Sequence, residues 1–327
     1  MIHGHGDDAY NYHAIRANFS SNICQHADHA LLKAYLTAHF HVVDNYPEPE
    51  PWTLERQIAH SHGIDPECVI VTNGATDAIY LVAQAYAHLP YAIDQPAFSE
   101  YEDACRLFEL SEGTGGLCWV CNPRNPDGYA YSSEEIGRLA DSHRLLVVDQ
   151  AYERYTCQSL LSPREAVDRR NVIQLHSMTK TYAIPGLRLG YLVAHADITA
   201  HLRRHLRPWS VNALAIEAGR FLLQHDELLV RPDLCEAQRL HARLSAIDGL
   251  VIQPTATNFM LCCCTRRSSG WLTAATLKER LALRYGLLIR DASNFRGLTA
   301  GHFRIASQTP AENNLLVEAI TELMKEQ

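Results

Sequence analysis

The sequence predicts an α/β protein, with a large domain built on a mostly parallel sheet and a smaller α+β domain beside it. Three observations predict this. Leu145-Leu146-Val147-Val148 is a near-continuous apolar run, as expected of a parallel strand covered on both faces. The apolar run over 68–72 passes directly into Asn73-Gly74-Ala75-Thr76-Asp77, a turn that opens a helix. After residue 231 the chain alternates short apolar strands with amphipathic helices. The large domain is expected over 46–230. The small one is expected to join residues 1–45 to 231–327.

Composition agrees with a globular enzyme-sized chain. Its 327 residues, 47% of them apolar, suffice for one large domain with a companion. A net charge of −8 without a basic block argues against nucleic acid as a partner. The densest basic run, Arg203-Arg204-His205-Leu206-Arg207, reads as a solvated helix face. No apolar run reaches the roughly 18 residues of a membrane span, and Met1-Ile2-His3-Gly4-His5 lacks a signal peptide's apolar core. A soluble, cytoplasmic protein with no membrane partner is expected. The ten cysteines read as reduced thiols. Cys118-x-x-Cys121 lacks a second pair, Cys262-Cys263-Cys264 reads as strand core, and the eighteen histidines follow no ligand pattern, so no metal site is expected.

The elements follow in order. Residues 1–45 are polar and histidine-rich, with one helix over 29–38. Tyr46-Pro47-Glu48-Pro49-Glu50-Pro51 is a stiff linker, and a helix over 53–62 follows with Thr53 as its N-cap. The strand over 68–72 and a helix over 78–87 flank a turn whose free N–H groups form an anion site. A strand over 91–94 precedes Gln95-Pro96-Ala97-Phe98-Ser99-Glu100-Tyr101. A strand over 117–121 enters Asn122-Pro123-Arg124-Asn125-Pro126-Asp127-Gly128, a Pro-Asp-Gly turn. Asp149 stands at the carboxyl end of the 145–148 strand, where ligand crevices of open α/β sheets lie. Strands over 172–175 and 189–193 are followed by the 208–215 segment, a helix that runs to about residue 224, and a second helix over 232–246. The C-terminal piece has strands over 251–252, 259–263, 287–289 and 303–306, with helices over 273–285 and 310–325.

The chemistry centres on His176-Ser177-Met178-Thr179-Lys180. A lysine held between strand ends can form a Schiff base with an aldehyde once a desolvated pocket leaves its amine free. Ser177, Thr179 and Arg188 add hydroxyl donors and a fixed charge that suit a phosphate. Only four lysines exist, and Lys33, Lys278 and Lys325 fall in polar, helix-like segments, which leaves Lys180. The alternative is a loop lysine in solvent.

Ser-x-Thr-Lys, followed eight residues later by the arginine of Gly-Leu-Arg-Leu-Gly, resembles the lysine segment of fold-type I enzymes that use pyridoxal 5′-phosphate (PLP). These are the class I/II aminotransferases and their decarboxylase relatives. The resemblance runs from Tyr46 through the final helix, and it implies a three-layer αβα large domain with a small α+β domain. It implies PLP as the cofactor, bound through Lys180. Gly74, Ala75 and Thr76 would then hold the phosphate with Ser177, Thr179 and Arg188, and Phe98 would stack on the ring. Asn125 and Tyr152 would address the phenolic oxygen, and Asp149 would pair with the pyridine nitrogen, keeping the ring an electron sink. The family also implies a homodimer in which Tyr46 reaches the neighbouring site; a linker tyrosine is the alternative. Asp127 and Arg124 depart from the usual threonine and asparagine of the family's turn.

Within the family, Phe19-Ser20-Ser21-Asn22-Ile23, Pro208-Trp209-Ser210-Val211-Asn212 and Arg290-Asp291-Ala292-Ser293-Asn294-Phe295 are most similar to threonine-phosphate decarboxylases of cobalamin biosynthesis, and next to histidinol-phosphate aminotransferases. That likeness implies a phosphorylated amino-acid substrate. His5, Gly6 and Asn22 would hold its phosphate, and Arg290 and Arg304 its carboxylate. A surface salt bridge is the alternative for either arginine. His5-Gly6-Asp7-Asp8 departs from the family's His-Gly-Gly-Asn, and its carboxylates would repel a phosphate unless they point away or pair with Arg or His. The expected reaction is decarboxylation of L-threonine phosphate to (R)-1-amino-2-propanol phosphate. Aminotransfer remains open, because whichever Cα bond stands perpendicular to the ring is the one that breaks. A PLP-binding sensor without turnover is the third reading, and both substrate arginines count against it.

Overall fold

The computed structural model describes residues 8–265 and 272–326, so His5, Gly6 and Asp7 lie outside the described residues. The chain opens with β1 (Ala17–Asn18), α1 (Ala30–Ala38) and α2 (Trp52–His62), then β2 (Val69–Thr72) and α3 (Ala75–Ala85). Next come β3 (Tyr91–Ile93), α4 (Ser99–Leu107), β4 (Leu117–Cys121), α5 (Ser133–Ser142) and β5 (Leu145–Asp149). They are followed by α6 (Pro163–Asp168), β6 (Val172–His176), the single turn α7 (Met178–Thr181), β7 (Gly190–Ala194), α8 (Ala196–Arg203) and α9 (Ala213–Leu222). The last third carries α10 (Leu234–Ser245), β8 (Leu250–Ile252), β9 (Phe259–Cys264), α11 (Ala274–Tyr285), β10 (Leu287–Leu288), β11 (Arg290–Asp291), β12 (His302–Ala306) and α12 (Pro310–Lys325).

Among the described residues the central sheet has the order β2-β7-β6-β5-β4-β3. β3 to β6 run parallel, and β7 is antiparallel to both of its neighbours. β4, β5 and β6 are buried at every position, which is why they read as unbroken apolar runs. One face, with Val147 and Ile173, packs beneath α3 and α4. The other carries Val148 and Val120 against Ile136 of α5, and Val71 and Val193 against α2 and α9. Three layers result, each fully buried Leu, Ile or Val contributing about 1.5–3 kcal/mol.

A second sheet, β11-β12-β9-β8, is antiparallel and is covered by α10, α11 and α12. The chain's beginning is stitched into this half. β1 pairs with β10, Phe19 donates its N–H to Leu288 O, and Ala306 donates to Phe19 O at 2.9 Å. Residues 19–22 are thereby held at the edge of the central cavity.

Several local expectations are corrected. The expected N-cap Thr53 sits inside α2 instead, and its N–H and hydroxyl donate to the Glu48 carboxylate. α3 begins at Ala75, three residues early, because Gly74 at φ +82° serves as its N-cap. The apolar run at 287–289 divides its pairing between two sheets: Leu287 and Leu288 face β1, and Arg290 opens β11. Of the basic run at 203–207, Arg204 and Arg207 are exposed as expected, but Arg203 turns inward and donates to Glu50, Glu55 and the Val69 carbonyl. No helix among the described residues is long and apolar enough to cross a membrane.

Candidate active site

A cavity of about 290 Å³ opens at the carboxyl ends of β4, β5 and β6. It is lined by Asn22, Ala75, Thr76, Phe98, Asn125, Asp149, Tyr152, Ser177, Thr179, Lys180, Arg188 and Arg304. Residues drawn from nearly 300 positions of sequence thus meet in one crevice.

At its centre, β5 delivers Asp149 and β6 runs through Ser177 into the turn that carries Lys180. The Lys180 Nζ lies 5.7 Å from the centroid of the Tyr152 ring. Asp149 is buried, and burial pushes its pKa up; the Tyr101 hydroxyl and the Ala151 N–H oppose that rise. Tyr101 donates to Asp149 Oδ2 at 2.6 Å, and Ala151 N–H donates to Oδ1 at 2.9 Å. The Tyr152 phenol is pushed up to about 12, chiefly by burial, so it stays protonated at neutral pH. Asn22 Nδ2 donates to its oxygen at 3.2 Å, which leaves the Tyr152 proton free for another acceptor.

One end of the cavity is an anion cradle. Gly74 presents the N-terminus of α3, and the Arg188 guanidinium packs directly over it. A Cβ placed on Gly74 would stand 2.7 Å from Arg188 Nη2. Arg188 itself takes a left-handed conformation, φ +56°, and donates to Pro185 O at 3.2 Å. Gly190 makes the close approach possible, because a Cβ there would lie 2.6 Å from Ala75 N and 2.8 Å from Gly74 C. A helix N-terminus, a fixed guanidinium and the hydroxyls of Thr76, Ser177 and Thr179 together fit a phosphate dianion. The buried carboxylate of Asp149 fits a protonated ring nitrogen. The residues present therefore fit PLP.

The other end is cationic and belongs to the second sheet. Arg304 of β12 donates through Nη1 to Asn125 Oδ1 and through Nη2 to Ser20 O, both at 2.6 Å. Burial lowers its pKa to about 10, so it remains charged at neutral pH. A side arm of about 130 Å³ adjoins here, bounded by Arg290, Arg304, Phe98 and Asn125. Arg290 donates to Asp291 O at 2.5 Å and to Asn294 Oδ1 at 2.9 Å, and its guanidinium stands 5.6 Å from the Phe295 ring. Both arginines are buried, which counts against the surface position of their alternative reading.

Asp8 is turned toward α11, where its carboxylate pairs with Lys278. Tyr46 lies outside this chain's own cavity: it is 84% exposed, and its ring is 5.3 Å from that of Trp209. The two departures in the 122–128 turn compensate each other, since Arg124 Nε donates to both Asp127 carboxylate oxygens at 3.0 and 3.1 Å and Nη1 donates to Asp94 at 3.1 Å. Among the described residues no group of three or more His, Cys, Asp or Glu could hold a metal ion. Sequence reasoning missed Tyr101, Ser20 and Gly190. Tyr101 offered a signal, as it lies one helical turn after Phe98 and so shares its face.

A lysine and a buried carboxylate at parallel strand ends, with a phosphate cradle at a helix N-terminus, define a PLP-dependent enzyme of fold type I. Residues 109–320 match the family described as aminotransferase class I and II, and the chain belongs to that family. PLP is its cofactor. The chain is 32% identical over 321 residues to a putative threonine-phosphate decarboxylase of Caldanaerobacter subterraneus subsp. tengcongensis, covering 87% of this chain and 84% of that protein. It is 27% identical to a histidinol-phosphate aminotransferase of the same organism, over 86% of this chain and 85% of the other. The crystal structure of L-threonine-O-3-phosphate decarboxylase from Porphyromonas gingivalis superimposes with a TM-score of 0.90 at 35% identity, covering 94% of this chain and 99% of that one.

Proposed function

We propose that this chain is a PLP-dependent carboxy-lyase that converts L-threonine phosphate to (R)-1-amino-2-propanol phosphate and carbon dioxide, the step that supplies the side chain in cobalamin synthesis. The observation that carries the reading is the convergence of Lys180, Asp149, Asn125 and Arg304 on one cavity. The likeness to threonine-phosphate decarboxylases over most of the chain supports the substrate.

Gly74, Ala75, Thr76, Ser177, Thr179 and Arg188 would hold the cofactor phosphate, and Lys180 would hold its aldehyde carbon. Phe98 would cover the ring, Asn125 and Tyr152 would donate to the phenolic oxygen, and Asp149 would pair with the ring nitrogen. The chemistry PLP would supply there is an electron sink for the pair released from a substrate Cα bond. Arg304 and Arg290 clamp the substrate carboxylate in a dry pocket, and its bond to Cα is the one presented for cleavage. Lys180 Nζ then returns a proton to Cα. His5, Gly6 and Asn22 take the substrate phosphate; the pairing of Asp8 with Lys278 supports this, because one of the two repelling carboxylates is neutralised. The enzyme acts as a cytoplasmic homodimer, with Tyr46 reaching the partner's cofactor phosphate. Exposed Phe40, Tyr46, Trp52 and Trp209 support that interface.

Aminotransfer is the second reading, favoured by the likeness to histidinol-phosphate aminotransferase. In it Lys180 removes the Cα proton instead. The test is turnover of L-threonine phosphate with no keto acid present. Release of carbon dioxide and aminopropanol phosphate, abolished in Lys180→Ala, is the expected result. No release, with glutamate formed from histidinol phosphate and 2-oxoglutarate, would replace it with the second reading.

A further inference from the structure

Asp149 receives one neutral donor on each oxygen, and the two differ in kind. The Ala151 N–H on Oδ1 is a backbone turn contact two residues away. The Tyr101 hydroxyl on Oδ2 comes from α4, 48 residues away, and is the shorter bond at 2.6 Å. The Tyr101 ring is pinned in place. It stacks on Trp119 of β4 at 5.4 Å and 12°, and meets Phe98 edge-on at 5.9 Å and 89°. With only 1% of its surface exposed and its pKa well above the ordinary phenol value through burial, it is a fixed neutral donor.

We propose that Tyr101 is a positioning residue for the cofactor: its hydroxyl fixes the orientation and the negative charge of the Asp149 carboxylate offered to the ring nitrogen. A carboxylate buried this deeply favours its neutral form, and a neutral acid cannot pair with a protonated ring. A short O–H···O⁻ bond opposes that effect, and it costs no second buried charge. A lysine or arginine in the same place would also keep Asp149 ionised, but would repel the protonated ring. The phenol avoids that conflict. Further titratable groups bear on Asp149 from the elements around it: Cys121 of β4, Tyr152 beyond β5, His176 of β6 and Lys180 of α7.

The inference rests on the role given above to Asp149, and it holds whichever reaction follows. Its test reads cofactor binding, so failure of the decarboxylase assignment leaves it untouched. Tyr101→Phe keeps the ring packed on Trp119 and Phe98 and removes only the hydroxyl. PLP affinity and visible absorbance are measured across pH for the wild type, Tyr101→Phe, Asp149→Asn and the double variant. Tyr101→Phe should weaken PLP about tenfold at neutral pH. The loss should grow as pH falls, because Asp149 then takes up its proton earlier. In the Asp149→Asn background the same change should cost less than about twofold. Equal losses in both backgrounds would mean that Tyr101 only fills space or aids folding, and would overturn the inference. So would wild-type affinity in Tyr101→Phe, or an Asp149→Asn variant that binds PLP normally.

Discussion

At each end of the cavity stands a guanidinium whose partners are already in place, Arg188 at one and Arg304 at the other. Arg304 spends its donors on Asn125 and Ser20, two neutral acceptors, and so can meet an incoming carboxylate without moving. Arg304→Lys keeps the charge but loses the planar fork. The kcat/KM for the amino-acid substrate should fall about 10- to 100-fold, which steady-state kinetics would read. Lys278 acts at longer range. Lys278→Ala frees the Asp8 carboxylate, which already acts electrostatically on Arg290. KM for a phosphorylated substrate should rise by roughly threefold to tenfold, about 1 kcal/mol. Adding Asp8→Asn should reverse the rise, and a KM left high in the pair would show that Lys278 acts by another route. At this scale the sequence was informative wherever a motif kept its spacing, as in Ser177-x-Thr179-Lys180 and Asn125-Pro126. It did not join Asp8 to Lys278, which lie 270 positions apart and meet only through the fold.

Among the elements, the junction of β2, α3 and β7 decides whether a phosphate can bind. β7 crosses so close to the start of α3 that only glycine fits at 190. Gly190→Ala should push the α3 N–H groups out of line, destabilise the fold by about 1–3 kcal/mol and weaken PLP, measurable by denaturation and cofactor titration. A variant with unchanged stability and affinity would show that the junction yields. Strands were legible because burial on both faces leaves them uniformly apolar. α5 and α6 went unread, although each begins with a capping box, Ser132 with Glu135 and Ser162 with Glu165. α6 spans only six residues, too few for periodicity to stand out. The α2 N-terminus misled for a different reason: a serine- or threonine-based cap was expected, and a glutamate five residues upstream does the work.

Over the whole molecule, the face of the sheet opposite the cavity holds a buried polar group of its own. His176, fully buried, stacks on Tyr191 at 4.5 Å and lies 3.2 Å from Glu153 Oε2, and His62 Nε2 is 2.9 Å from the Tyr191 hydroxyl. Burial, reinforced by His176, lowers the pKa of His62 from 6.5 to about 4. Between these values the unfolded chain binds a proton that the folded chain refuses. Stability from this site is therefore full above pH 6.5 and is lost as pH falls toward about 4. Chemical denaturation at neutral and acid pH should show a drop that shrinks in His62→Gln; an equal drop in both proteins would remove His62 from the account. The sequence showed eighteen scattered histidines and no pattern, since this group is assembled from α2, β6 and β7. The α/β class, by contrast, was readable from the strand and helix pattern.

The pairing of β1 with β10 also has a consequence for biosynthesis. Ser20 and Asn22, which meet Arg304 and Tyr152, emerge from the ribosome long before residue 288 supplies the strand that anchors them. Throughout most of translation the leading segment has no partner, while the central sheet can already close behind it. A nascent chain arrested before β10 would carry the lysine, the carboxylate and the phosphate cradle, yet lack the wall that receives the amino acid. Completion of the pocket therefore waits until β10 has been made.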